Sequence, residues 1–203
     1  MNTHIFKQNE LDEVRKWILA GKVVAFPTDT VFGVGVVWDN EAALKRLKLS
    51  KKRSEDKPIP LMVSSFQQIE EVAYVNAVAK KVIAKFMPGG CTIILKKKKH
   101  IPEYVSNGFD TIAIRMPDDD FLLSILKEKA MLVTSANISG EETAKSQEEV
   151  LLQLNGRIDA IVLGEAGGGI ASSIIDLSER PYQVIREGLI SVKEIKKLIE
   201  EDV

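Results

Sequence analysis

Cysteine is almost absent from this 203-residue chain. Cys91 stands alone, which excludes an internal disulfide framework and any zinc site with more than one thiolate. Histidine is nearly as scarce. His4 and His100 are the only two, so multi-histidine metal centres are excluded and acid–base chemistry built on imidazole is not favoured. His4 falls in a short N-terminal strand pattern and His100 ends a lysine run, and each position suits a structural or solvated histidine. Charge of one sign is lacking too: 28 Lys plus Arg against 29 Asp plus Glu leave a net −1. No global basic excess draws the chain to nucleic acid or anionic membrane, so any such partner must be held by a local patch. No stretch of about 18 apolar residues exists, and the start MNTHIFKQNE has no apolar signal core. The expectation is a soluble chain in a reducing, cytoplasmic setting, without membrane contact.

What is present is ordinary globular composition, 45% hydrophobic and 28% charged. A chain this long can remove roughly 70% of its unfolded surface from water, so no staple is needed. Helical and strand patterns alternate. Asn9 can cap a helix carrying Leu11, Val14, Ile18 and Leu19, and Asn40 a second through Leu44, Leu47 and Leu49. Residues 77–86 read as an amphipathic helix stopped by Pro88-Gly89-Gly90, and residues 121–127 as another. Strand patterns cover 23–26, 59–63, 92–95, 111–114, 131–134, 174–177 and 183–185. Ser146 with Glu149 and Ser191 with Glu194 have the spacing of capping boxes. The alternation predicts one α/β domain over 1–203. Gly164 to Gly169 reads as a surface loop or as a mobile flap over a ligand.

Several familiar devices are missing. Gly21-Lys22 lacks the upstream glycine of a phosphate-binding P-loop, Gly33-Val34-Gly35 lacks the third glycine of a dinucleotide loop, and no Gly-x-Ser-x-Gly elbow occurs. Four polar clusters instead sit at strand ends. Pro27-Thr28-Asp29-Thr30 offers hydroxyls to a small polar ligand, or is simply an Asx-type turn. Lys45 to Lys57 builds local positive potential. An extended exit from its helix would put Lys51 and Arg53 on one face, fit to grip a polyphosphate; a solvated helix face accounts for the charges as well. Ser135-Ala136-Asn137-Ile138-Ser139-Gly140 presents donors that could coordinate phosphate oxygens, alone or with a metal ion, or forms a plain turn. Ser172-Ser173-Ile174-Ile175-Asp176 precedes Arg186, and Arg115 closes Thr111–Arg115 in the same way. An arginine at a strand end suits carboxylate or phosphate, or a surface ion pair. Together the clusters describe a site that binds and places anions without a nucleophile beside a base. Phosphoryl chemistry asks for little more, because positioning and charge stabilisation do most of the catalysis.

The order of these motifs resembles the YrdC-like family of threonylcarbamoyl-AMP synthases. The resemblance is carried by PTDTVFG (27–33), Lys51-x-Arg53 with Lys57-Pro58, Pro88-Gly89, TIAIRMP (111–117), SANISG (135–140), SSIIDL (172–177) and Ile185-Arg186-x-Gly188. It implies a twisted mixed β-sheet with flanking helices and a concave electropositive face. It implies condensation of L-threonine, bicarbonate and ATP into threonylcarbamoyl-AMP and pyrophosphate, with Mg2+ arriving on the ATP phosphates. Partner proteins of the tRNA threonylcarbamoyl-transferase complex would then modify adenosine 37 of tRNA. By the same resemblance, Lys51 and Arg53 are catalytic, and they bind ATP with Lys57, Thr111, Ser135, Asn137, Thr143 and Arg186. Thr30, Arg115 and Ser172 fall on threonine-binding positions. Phe32, Ser54, Met87 and Gly90 depart from common family residues, though none of these changes removes a charge. The chain ends soon after Gly188, where long family members continue into a further domain that helps cover the site; the 167–169 loop or a partner is expected to do so here. The competing expectation is a double-stranded RNA- or tRNA-binding, or ribosome-assembly, protein of the same fold without synthase activity. Lys96 to Lys99 and the Lys45 to Lys57 segment would contact phosphates in that case, and weak RNA binding is compatible with either reading.

Overall fold

The computed structural model describes residues 2–200, so Met1 and residues 201–203 of the expected 1–203 domain lie outside it. Its ten strands form one mixed sheet. At one edge lie β1 (His4–Phe6), β8 (Ala160–Val162) and β2 (Val24–Phe26), mutually parallel. Next come β3 (Gly33–Val37), β7 (Met131–Ser135) and β4 (Leu61–Met62), each antiparallel to its predecessor. Then follow β6 (Thr111–Arg115), β5 (Cys91–Lys96), β9 (Ser173–Asp176) and β10 (Gln183–Arg186) at the far edge.

Period-two alternation sends side chains to two faces. On one face, Ala25, Leu132, Ile161, Ile93, Ile114 and Ile175 share a core with five of the longer helices. These are α2 (Glu41–Ser50), α3 (Phe66–Val72), α4 (Ala77–Phe86), α7 (Gln147–Leu154) and α8 (Val192–Glu200). On the other, Phe26, Met131, Val133 and Val162 pack under α1 (Leu11–Leu19) and α6 (Asp120–Leu126). Towards β6, β5 and β9 that second face is left as a cleft. Thr92, Ile94, Ala113, Arg115 and Ile174 point into it, while their neighbours Ile93, Ile112, Ile114 and Ile175 are buried on the opposite side.

Most expected elements form where the pattern puts them. Asn40 caps α2, its side chain accepting from Ala43 N at 2.9 Å, and Ser191 and Glu194 make the reciprocal box ahead of α8. Two caps differ. Asn9 lies in a 3-10 turn, Gln8–Glu10, where Lys7 N donates to the Glu10 carboxylate at 2.7 Å. Ser146 does cap α7, but Glu149 turns its carboxylate to Lys145 N instead. Elements that the pattern did not announce are β3, β8, α3 and the four-residue α5 (Glu103–Ser106). Strand β3 was hidden by its composition, because Gly-Val-Gly-Val-Val carries two residues with little strand preference. Contact explains the glycine. A Cβ on Gly35 would stand 2.8 Å from Val133 Cγ2 and 2.9 Å from Leu132 O, so β3 can approach β7 only without one.

Gly35→Ala is therefore expected to cost about 1–3 kcal/mol by overpacking, read as a lower urea midpoint. A midpoint equal to that of the parent chain would show that β3 and β7 can separate freely.

Candidate active site

The cleft holds a cavity of about 340 Å3. Its lining includes the hydroxyls of Thr28, Thr30, Thr92, Thr134, Ser135, Thr143 and Ser172, the arginines Arg53, Arg115 and Arg186, and no carboxylate. Sheet register assembles it. Thr92 stands opposite Arg115 and beside Ile174, Met62 is in register with Arg115, and Gly33 with Ser135. Strand ends remote in sequence are thereby brought together.

Arg115 organises one part. It is 5% exposed, so its charge must be met by partners. Nε donates to Gly89 O at 3.1 Å, Nη1 to Thr30 Oγ1 at 2.8 Å and Nη2 to Asp29 Oδ1 at 2.6 Å. One N–H is left on each terminal nitrogen, enough for a carboxylate or phosphate edge. The hydroxyl protons can be assigned. Thr28 donates to Val31 O at 2.7 Å, so in the 3.0 Å contact between the two hydroxyls Thr30 donates to Thr28. Thr30 then keeps a lone pair beyond the one that meets Arg115. The local pattern makes Asp29 no more than part of a turn; as the counter-charge of Arg115 it has a role that such a pattern does not announce, because its partner lies 86 residues away.

Ser172 is joined to this group through Thr92, with their hydroxyls 2.8 Å apart. Arg186 Nη2 donates to the Ser172 carbonyl at 2.7 Å and reaches its hydroxyl at 3.3 Å. Burial, then the nearby Arg115, lowers the Arg186 pKa from its ordinary value, so the two guanidinium groups repel and together favour an anion.

The segment after α2 departs from the expected extended exit. Lys51 closes the helix at φ −92°, and Lys52 turns left-handed at φ 50°. Lys51 therefore points inward. It is 1% exposed, and its Nζ donates to the carbonyl oxygens of Ser135 and Asn137, while Ser139 N donates back to Lys51 O at 2.8 Å. Lys51 thus pins the 135–140 turn from behind, and Arg53 alone of the pair lines the cavity. Burial first, then the Arg53 charge, pushes the Lys51 ammonium down to about 7. Burial likewise lowers Arg53, whose Nη2 donates to Pro58 O at 2.8 Å. Asn137 is 5% exposed; its Nδ2 donates to Ile138 O and Glu141 O, and its Oδ1 has no partner. Ser139 Oγ is buried without one as well.

Seven of the eleven expected site residues thus line one cavity: Thr30, Arg53, Arg115, Ser135, Thr143, Ser172 and Arg186. Thr111 lines an adjoining hollow of about 210 Å3 with Phe109 and Asp176, which shares Pro58, Ile94 and Ala113 with the first. Lys51 and Asn137 lie behind the wall, and Lys57 is exposed on the loop. The Gly164 to Gly169 loop is not free. Gly167 N donates to Thr28 O at 2.9 Å and Gly169 N to Thr30 O at 3.1 Å, docking it on the threonine-bearing turn.

Comparison with known proteins bears on the family and the fold. The family model of the Sua5/YciO/YrdC proteins, described as telomere recombination, matches residues 16–188. A threonylcarbamoyl-AMP synthase of Pyrococcus abyssi is 38% identical over 189 residues, which make up 91% of this chain and 56% of that protein. A Methanocaldococcus jannaschii protein that carries the same name provisionally is 37% identical over 194 residues, 94% of this chain and 91% of its own. The crystal structure of Pyrococcus abyssi Sua5 complexed with L-threonine superposes with a TM-score of 0.91 at 33% identity, over 99% of this chain and 62% of that one. The chain thus spans little more than half the length of the Pyrococcus relative.

The lowered Lys51 pKa has a signed consequence. Between about 7 and the ordinary 10.5 the unfolded chain holds the proton that the folded chain has lost, so this lysine makes stability rise with pH across that window. The stability difference between the parent chain and Lys51→Met, measured by urea denaturation, is expected to grow in the parent's favour from pH 7 to pH 10. A difference independent of pH would mean that the two carbonyl oxygens keep Lys51 charged.

Proposed function

This chain belongs to the Sua5/YciO/YrdC family, and we propose that it is an L-threonylcarbamoyladenylate synthase, a nucleotidyltransferase acting on L-threonine, bicarbonate and ATP. The observation that carries the reading is the convergence of Thr30, Arg115 and Ser172, through Thr92, in the same cavity as Arg53, Ser135, Thr143 and Arg186. An amino-acid carboxylate would take the free N–H edge of Arg115, and the side-chain hydroxyl would use Thr30 or Ser172. The triphosphate would lie against Arg53, Arg186 and the 135–140 turn, making this the electropositive side of the cleft.

In the proposed reaction the threonine amine combines with bicarbonate, losing water, to give a carbamate. A carbamate oxygen attacks the α-phosphorus of ATP, its bond to pyrophosphate breaks, and threonylcarbamoyl-AMP and pyrophosphate result. The chain's part is placement and charge. Arg53 neutralises charge growing on the phosphates, and Lys51 supports it by fixing the turn that carries Ser135 and by placing a second positive charge behind it. Magnesium would enter with the nucleotide. Among the described residues no group of three or more His, Cys, Asp or Glu could hold a metal by itself.

Partner proteins would pass the threonylcarbamoyl group on to adenosine 37 of tRNA in the cytoplasm; no described helix is long and apolar enough to cross a membrane. The RNA-binding alternative draws less support. It gives the hydroxyl-lined cavity no task, and Lys96, in the run that would bind phosphates, pairs with Glu179 at 2.7 Å.

The test is pyrophosphate release dependent on L-threonine, bicarbonate and MgATP. Arg53→Ala and Lys51→Ala are each expected to lower kcat by about 10²-fold or more, the scale for losing a group that stabilises developing charge; near-normal rates in both would remove their roles. Serine, one methyl smaller, should be disfavoured by about 10- to 200-fold, and 2-aminobutyrate, which lacks the hydroxyl, more strongly. Equal turnover of threonine and 2-aminobutyrate would remove the assignment of Thr30 and Ser172.

A further inference from the structure

Lys48 belongs to the basic segment before Arg53, yet it is 4% exposed and faces away from the cavity. Its Nζ donates to Glu55 O at 2.8 Å and to Asn107 Oδ1 at 2.9 Å, and lies 3.4 Å from Glu55 Oε2. Asn107 Nδ2 donates to the same Glu55 carbonyl at 2.7 Å. Both lone pairs of that oxygen and both ends of the Asn107 amide are thereby used. Asn107 reaches the spot because it caps α5 in the left-handed region, at φ 55° and ψ 36°, which asparagine tolerates better than most residues.

The knot sits under a segment whose backbone is otherwise tied to α2 by Arg53 N donating to Lys48 O at 2.9 Å. Ser54 to Pro58 are exposed, so burial does not fix their position. Arg53 bonds only within its own segment through its side chain, to Lys57 O at 3.3 Å and Pro58 O at 2.8 Å. Its guanidinium therefore travels with the loop as one body. The Glu55 carbonyl ties that body to α2 through Lys48 and to the stretch before β6 through Asn107. The same stretch carries Phe109 and Thr111, which line the adjoining hollow.

We propose that Lys48 and Asn107 are positioning residues that clamp the Glu55 carbonyl and so fix where the Arg53 guanidinium stands in the cleft. The inference rests on the synthase reading for the task of Arg53, and on the geometry for how Arg53 is held. The Glu55 carboxylate is a minor part of the clamp, because its side chain is 73% exposed and such pairs contribute little.

The experiment compares Lys48→Met, Asn107→Gly and Glu55→Gln, each alone and combined with Arg53→Ala, by pyrophosphate release and by amide hydrogen exchange without ligand. Lys48→Met and Asn107→Gly are expected to speed exchange at the Arg53 and Lys57 amides and to lower kcat by roughly 10- to 100-fold, the scale for a catalytic group displaced by about 1 Å. Threonine KM should stay within twofold. On the Arg53→Ala background the same substitutions should cost less than twofold, which a merely structural defect would not produce. Glu55→Gln, which keeps the carbonyl, should resemble the parent chain. Unchanged exchange, or a kcat loss that adds in full to that of Arg53→Ala, would overturn the proposal. If Lys48→Met does not fold, Asn107→Gly, which keeps the left-handed turn, decides by the same comparison. If the parent chain makes no threonylcarbamoyl-AMP, the synthase reading falls, and exchange at the two amides alone decides whether the clamp exists.

Discussion

Arg115 is the charge around which the cleft is arranged. A guanidinium 5% exposed survives only with its N–H groups bonded and its charge answered. Gly89 supplies one of those partners, and the adjacent Asp29 and Thr30 the others, from two separate turns. Each turn is thereby fixed relative to β6, and the hydroxyls of Thr28 and Thr30 acquire a single donor–acceptor order. Removing one member of a buried pair typically costs about 3–5 kcal/mol, since the other is left uncompensated. Asp29 is thus as necessary to the amino-acid end of the cleft as the arginine it faces. The docking of Gly167 and Gly169 on the same turn extends this rigid end to the loop that passes over it.

The nucleotide end is built differently. Of its two arginines, Arg186 ends β10 while Arg53 stands on a loop, and lysines held inside the protein fasten the neighbouring backbone. Lys51 bonds the carbonyls of Ser135 and Asn137, and Lys48 the carbonyl of Glu55. An ammonium has three donors and no acceptor, so it can gather backbone oxygens that would otherwise be buried without partners. Lys51, behind the cavity wall, and Lys48, which faces away from the cavity, therefore act as fasteners of backbone, while Arg53 and Arg186 remain to meet the ligand. The cost falls on Lys51 as a pKa depressed to about 7, a state that the arrival of a polyanion would relieve.

The sheet gives these two ends their common floor. One face is covered by helices along its length, whereas on the other α1 and α6 pack at one side only. Over β6, β5 and β9 the uncovered positions are Thr92, Ile94, Ala113, Arg115 and Ile174; Thr92, Ala113 and Arg115 are small or polar and interrupt the apolar surface that the two isoleucines would otherwise make. A covering helix would need larger apolar residues there. The cleft is in this sense already written into the alternation of TIAIR and SIID.

Much could be read without coordinates. Helices α2 and α4 announce themselves through apolar spacing at period 3.6 and through Asn40 and the Pro88-Gly89-Gly90 stop, because those signals are local. Thr30, Arg53, Arg115, Ser135, Thr143, Ser172 and Arg186 could be nominated from the resemblance of the motif order to the YrdC-like family. Strand β3 could not, since its glycines answer a contact with Val133 and Leu132 about a hundred residues away in the chain. The role of Asp29 was equally hidden, depending on the sheet order that sets β2 and β3 near β6. The chain's own residues settled which side chains could bind anions. Only the folded sheet decided which of them face the ligand and which, like Lys48 and Lys51, turn inward, because the direction of a side chain after a helix end depends on the oxygens that tertiary packing leaves unpaired.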